Sequence, residues 1–156
     1  MSTRRLKNRV ESARVISSGI LENHTLMFHK KSKDGSGKCD AYYTNKPKDK
    51  IYGVIYSIHK KDLNKLDSVE GCGRGHYKNK EVVIKCFNGE TVNAFTYCAE
   101  NIVKGLKPYL WYKYHILHGA VENDLPYEYI SFIDSVNADV DPDVNRATVE
   151  LSIYKD

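Results

Sequence analysis

The sequence predicts an α+β domain: a small, mixed but mostly antiparallel β-barrel or strongly curved sheet, with helices packed against it and a helical C-terminal third. Three observations predict it. Strand-like segments fill the first two thirds of the chain, helical periodicity fills the last third, and Asn88-Gly89 separates two β-favouring runs as a hairpin turn. At 156 residues, with 41% hydrophobic and 28% charged content, the chain reads as one domain (residues 1–156) able to bury a core.

Each element has its own signal. Residues 2–11 begin as a helix, with Ser2 or Thr3 as cap and Leu6 and Val10 on one face. Residues 14–20 and 23–29 read as strands joined by a turn containing Gly19. Residues 32–37 are a Ser/Lys/Gly-rich loop, 39–44 a short strand and 45–49 a turn. Residues 51–58 are almost continuously apolar or β-favouring and so read as a central strand. Residues 61–66 suit a short helix leading towards Glu70. Residues 81–87 and 91–97 flank the Asn88-Gly89 turn, which the pattern makes type I′, with positive φ at both central residues. Further on, Leu110, Tyr114, Leu117 and Val121 recur at helical spacing. Tyr129, Ile133 and Val136 do so behind Pro126, which fits the first turn of a helix. Asp141-Pro142 opens a last helix carrying Val144, Ala147, Leu151 and Tyr154.

Composition excludes several functions. The net charge of +4 falls short of the dense basic stripe of a nucleic-acid binder, and the lysines of residues 30–50 and 60–80 read as solvated surface. No apolar run approaches the roughly 20 residues that span a bilayer. The basic N-terminus lacks the apolar core of a signal peptide, which predicts a cytoplasmic protein with reduced cysteines. Cys39, Cys72, Cys86 and Cys98 lack metal-ligand spacing. Cys86 and Cys98 read as buried apolar residues, and Cys72 as a turn residue rather than a nucleophile, even with His76 nearby.

The most informative stretch is Leu66-Asp67-Ser68-Val69-Glu70-Gly71-Cys72-Gly73-Arg74-Gly75-His76-Tyr77. It sets a carboxylate at a glycine-rich corner closed by a tyrosine. Such a corner lets backbone approach a small ligand closely, and a sheltered carboxylate there is a natural general base. A carboxylate in open water is too acidic for that role near neutrality, so the reading requires shelter from Val69, Tyr56 or Tyr77.

Read together, the chain resembles the γ-glutamylcyclotransferase family with its AIG2-like relatives. The resemblance rests on Ile51-Tyr52-Gly53-Val54-Ile55-Tyr56, on Leu63-Asn64-Lys65-Leu66-Asp67-Ser68-Val69-Glu70-Gly71, and on Tyr77 and Tyr97. It continues through Pro108-Tyr109-Leu110-Trp111-Tyr112 and His118-Gly119-Ala120-Val121-Glu122-Asn123-Asp124-Leu125-Pro126-Tyr127-Glu128-Tyr129. One departure matters. The family's first strand ends in a Tyr-Gly-Ser-Asn loop, often followed by Met. Here Met1 stands where that Met would be, so strand and loop are missing from the sequence. Either the start is assigned at an internal Met or the lineage lost the loop; the first is preferred, because the remaining order is kept and a lost barrel strand leaves unpaired edges.

The resemblance implies intramolecular aminolysis of a γ-glutamyl compound to 5-oxoproline, with no metal or cofactor. It implies Glu70 as the single general acid/base, and Tyr77, Tyr112 and Gly71 at the substrate. Arg74 is a weaker candidate for a substrate carboxylate. The expected partner is a small γ-glutamyl molecule, with no nucleic acid or membrane, and the chain a monomer or homodimer. Two alternatives stand: a γ-glutamylamine (isopeptide) cyclotransferase, and a non-catalytic binding domain, since the substrate loop is missing.

Overall fold

A computed structural model describes residues 2–155. Chain order is α1 (Thr3–Arg9), β1 (Arg14–Glu22), β2 (His24–Lys31), β3 (Gly37–Tyr43), β4 (Lys50–Ser57), α2 (Lys60–Glu70), β5 (Tyr77–Cys86), β6 (Thr91–Ala99), α3 (Leu110–Glu122), α4 (Tyr127–Ser135) and α5 (Val144–Leu151), closed by a 3-10 turn, Ser152–Tyr154. The fold class is α+β with a helical C-terminal third, as the sequence indicates. The strands form an antiparallel four-stranded sheet, β4-β1-β5-β6, and an antiparallel pair, β2-β3. Asp40 ties the two together: Oδ1 accepts from the Ala99 N–H of β6 (2.7 Å), and Oδ2 lies 2.7 Å from His29 Nε2.

Four expectations need correction. Gly19 is not in a turn. It lies in mid-β1, opposite Gly53 and Cys86, where a Cβ would sit 2.7 Å from the Lys85 carbonyl oxygen and 2.8 Å from Ile84 Cγ2. Glycine is what lets β5 approach; the chain reverses instead at Asn23, whose φ is +59°. Second, β4 is at the end of its sheet rather than central. Its inner six residues are half-buried, none fully, because they line a groove instead of packing between two strands. Third, the 88–89 turn is not type I′, because φ is positive at Gly89 but not at Asn88. The Gly89 N–H donates to the Cys86 carbonyl (3.0 Å) and the Cys86 N–H to that of Glu90 (2.8 Å), which makes a three-residue loop with a glycine bulge.

The fourth concerns α3. Leu110, Tyr114 and Val121 are exposed; the buried stripe is Trp111, His115 and Gly119 with Ala120. Polar handles decide this. The Trp111 indole N–H donates to Asp141 Oδ2 (2.6 Å), and His115 Nδ1 and Nε2 meet Tyr154 Oη (2.8 Å) and Glu150 (3.3 Å). An aromatic whose polar atom finds a partner buries a larger area than the aliphatics beside it. Asp141 also receives Arg146 on both oxygens, which fixes the start of α5 against α3.

Two small cores hold the layers. Leu6, Val10, Ala13 and Leu66 pack α1 against α2. Ala120, Leu125, Tyr129 and Ile133 pack α3 against α4, with Ile51 and Tyr52 of β4 against them. The expected N-terminal helix is therefore real: Leu6 and Val10 are its inward residues and Ser2 its cap, with Ser2 Oγ accepting from the Arg5 N–H (3.5 Å). Among the described residues no helix is long and apolar enough to cross a membrane.

Candidate functional site

Glu70 is the last residue of α2, so the helix runs four residues beyond its expected end and carries the carboxylate itself. The sequence ends it there. Gly71 takes the left-handed conformation (φ 75°), its N–H donates to the Ser68 carbonyl (3.2 Å), and the Cys72 N–H donates back to Asp67 (2.9 Å). This is the paired 6→1 and 5→2 closure of a helix by glycine. His76 folds onto the Gly71 α-carbon, and Arg74 donates to the Ser68 carbonyl from the exposed rim.

The Glu70 side chain is 14% exposed, and Oε1 receives Arg9 Nη1 at 2.8 Å. No hydrogen bond engages Oε2 among the described residues. Arg5 and Arg9, one turn apart on α1, both face this corner. A polar hollow of about 170 Å³ lies beside it, lined by Glu70, Tyr77, Tyr112, Arg9, Lys30 and Lys38, among others.

Tyr77 and Tyr112 reach one peptide from opposite sides. The Tyr77 hydroxyl donates to the Cys39 carbonyl (2.7 Å), while the Tyr112 oxygen accepts from the Cys39 N–H (3.1 Å). Tyr112 Oη donates to no protein acceptor among the described residues. Burial pushes both phenols well above their ordinary pKa, and the Cys39 thiol up to about 11. All three therefore stay protonated at neutral pH. Cys72 is also raised, by burial first and then by Asp67 and Glu70, which makes it a poor nucleophile.

Of the residues read from the sequence, Glu70, Tyr77 and Tyr112 come together on the hollow. Gly71 and Arg74 line neither cavity and shape the end of α2. The cations were not foreseen. Lys30 and Lys38 read as solvated surface, yet Lys30 is 7% exposed and the Lys38 side chain 12%. A visible signal existed: alternation from Leu26 and Phe28 puts Lys30 on the inward face of β2, and only His29 departs from it. There the pairing with β3 slips between Met27 and Lys30, and three consecutive residues turn inward.

A larger, apolar groove of about 620 Å³ runs along β4 and the face of β5 and β6, lined by Ile55, Tyr56, Val82, Ile84 and Phe95, with Glu70 at its border. The groove is mainly apolar, whereas the hollow gathers Glu70 with two tyrosines and four cations, which makes the hollow the candidate site. Among the described residues no cluster of three or more His, Cys, Asp or Glu could hold a metal ion.

Fold and site together define a class: α+β proteins that hold one sheltered carboxylate at a glycine-capped helix end, facing tyrosines and cations. Residues 50–133 match the family model of the AIG2-like family, and the chain belongs to that family. It is similar to the gamma-glutamylcyclotransferase of Bos taurus, 33% identical over 90 residues, which covers 58% of this chain and 47% of that protein. The Homo sapiens gamma-glutamylcyclotransferase is 36% identical over 83 residues, or 53% of this chain and 44% of that protein. The chain thus spans about half the length of the curated relatives it matches. In three dimensions it is similar to a solved gamma-glutamyl cyclotransferase, with a TM-score of 0.82, 26% identity, and coverage of 93% and 90% of the two chains. YkqA of Bacillus subtilis shares the fold at a TM-score of 0.72 and 18% identity, over 86% of this chain and 49% of that one.

Proposed function

We propose that the chain is a γ-glutamyl cyclotransferase acting on γ-glutamyl amino acids or amines in the cytoplasm. One observation carries the proposal: the Glu70 carboxylate is sheltered, has one oxygen fixed by Arg9, and presents the other beside a small polar hollow. The likeness to gamma-glutamylcyclotransferases supports it.

In this reading the substrate's α-ammonium gives a proton to Glu70 Oε2. The freed nitrogen attacks the γ-carbonyl carbon, the lactam C–N bond forms, and the carbonyl oxygen becomes an oxyanion. As that oxyanion collapses the original amide C–N bond breaks. Glu70 gives its proton to the departing nitrogen and then takes the surplus proton of the ring nitrogen, which it passes to the released amine, so the lactam keeps one N–H, the amine leaves as an ammonium and one carboxylate serves every transfer. The nucleophile and the carbonyl belong to one molecule, so holding the cyclisable conformer removes much of the entropic barrier. Tyr112 is the better oxyanion donor of the two tyrosines. Its hydroxyl is engaged only as an acceptor among the described residues, whereas the Tyr77 hydrogen is committed to a carbonyl. Tyr77 then serves as wall, and Gly71 acts by holding Glu70 in place.

The test is to incubate the protein with γ-glutamyl dipeptides and with γ-glutamyl-ε-lysine and to follow 5-oxoproline. Release from the dipeptides supports the proposal, and release from the ε-lysine compound alone selects the γ-glutamylamine reading. A competing reading, a non-catalytic binding domain, draws on the open groove beside β4. Ligand binding with no 5-oxoproline from any of these compounds would favour it.

A further inference from the structure

Four cations line the polar hollow, and three of them are already satisfied. Arg5 pairs with Glu150, Arg9 with Glu70, and Lys38 with Asp34 (2.8 Å) and Ser36 Oγ (2.8 Å). Lys30 is different. The residue as a whole is 7% exposed, but its Nζ is not among the sealed unpartnered polar atoms: it opens on the hollow and makes no hydrogen bond or ion pair among the described residues. Its one close neighbour of note is the Tyr77 ring, 4.9 Å from Nζ to the centroid. A ring face attracts an ammonium but accepts none of its three N–H groups well. Burial lowers the Lys30 pKa, against the raising pull of the Glu70 and Asp34 carboxylates.

An ammonium that opens on a hollow without a protein acceptor is left for solvent or a ligand to satisfy. Its place follows from the strand: Lys30 lies two residues after the buried Phe28, on the same face of β2, and the irregularity there buries His29 as well. Charge counting around the hollow says what it awaits. With Arg5, Arg9 and Lys38 neutralised by Glu150, Glu70 and Asp34, the positive charge left among the described residues lining the hollow is that of Lys30.

We propose that Lys30 is the receptor for a carboxylate of the substrate, and so a specificity-determining residue of this site. The inference rests on the reading of the hollow as a γ-glutamyl site. Two carboxylates qualify: the α-carboxylate of the glutamyl group, and the C-terminal carboxylate of a departing amino acid. Each presents the same acceptor pair to an ammonium.

The experiment is Lys30→Met, close in length and without charge, with Lys30→Arg as the conservative variant. Binding of 5-oxoproline and of γ-glutamylalanine is measured by calorimetry, beside thermal unfolding of the ligand-free proteins. Lys30→Met is expected to weaken carboxylate binding roughly 10- to 100-fold, and Lys30→Arg to restore part of it. Thermal stability should hold or rise, because the ammonium removed makes no hydrogen bond or ion pair among the described residues of the ligand-free protein. Loss for both ligands assigns the α-carboxylate, the only one 5-oxoproline has. Loss for γ-glutamylalanine alone assigns the departing group. Unchanged binding in Lys30→Met overturns the proposal, as does failure of both ligands to bind the unaltered protein. A marked fall in stability would also overturn it, by showing Lys30 to be a structural residue. Lys30-dependent binding with no turnover of γ-glutamylalanine would sustain the receptor while refuting the cyclotransferase reading.

Discussion

Gly71→Ala tests how Glu70 is held. Gly71, Gly73 and Gly75 share one backbone state, with φ of 75°, 73° and 71°. An alanine at any of them suffers the left-handed penalty of roughly 1–2 kcal/mol. Only at Gly71 is there a second effect. A Cβ there would lie 2.7 Å from His76 Cδ2 and 2.9 Å from His76 Cβ, whereas nothing lies within 4 Å at Gly73 or Gly75. His76 cannot yield cheaply, because its own Cβ is one of the two atoms struck. Overpacking of this kind adds about 1–3 kcal/mol. Gly71→Ala should therefore cost about 2–5 kcal/mol, and each of the other two about 1–2. For a chain of this size, the Gly71 variant should melt roughly 3–9 °C below its companions. Urea unfolding of all three variants, at a common m-value, is the assay. If the three are equally destabilised, His76 does not buttress the helix end and the account of how the carboxylate is positioned fails.

Other outcomes follow from the same geometry. Glu70→Gln should lower 5-oxoproline formation by about 10²- to 10⁴-fold while shifting the urea midpoint little, since Arg9 is left partly solvated; full activity in this variant would remove Glu70 as the base. Asp141→Asn should cost about 2 kcal/mol, because the charge that draws Trp111 and Arg146 together is lost. Trp111 is the chain's single tryptophan, so its emission reports this directly. Acid should weaken the fold through Glu150, whose carboxyl is held down to about 2 by the His115 hydrogen bond, against the opposing effect of burial, and by Arg5. Its folded value lies below the unfolded one, so the contribution is whole above the unfolded pKa of 4.5 and is lost as pH falls towards 2. After allowance for solvent screening it is worth about 2 kcal/mol. Burial also lowers the His115 pKa, so protonating that ring opposes folding in the same direction. Urea midpoints from pH 6 to pH 2 should fall more steeply for the unaltered protein than for Glu150→Gln.

Much of this was legible in the chain. Helix starts, the hairpin and the Glu70 corner are local matters, governed by caps, turn residues and spacing, and they survive folding almost as written. What the sequence hid depends on partners far along the chain. Gly19 is a glycine because β5 comes close at Lys85, some 65 residues away, and nothing local announces that. The buried stripe of α3 is set by Asp141, Glu150 and Tyr154, so hydrophobic periodicity alone picked the neighbouring face. In the site, Glu70, Tyr77 and Tyr112 carried a recognisable pattern. Lys30 was passed over because a lysine is assigned to solvent by default, although alternation from Phe28 puts it on the inward face of β2.

The clamp on the Cys39 peptide bears on how the protein reaches its working shape. Tyr77 grips it across a separation of 38 residues and Tyr112 across 73. Closing spans of that length is slow relative to making a hairpin or a helical turn. The pocket walls are thus late arrivals. An intermediate with its hairpin and most helices formed would still have nowhere for a ligand to sit.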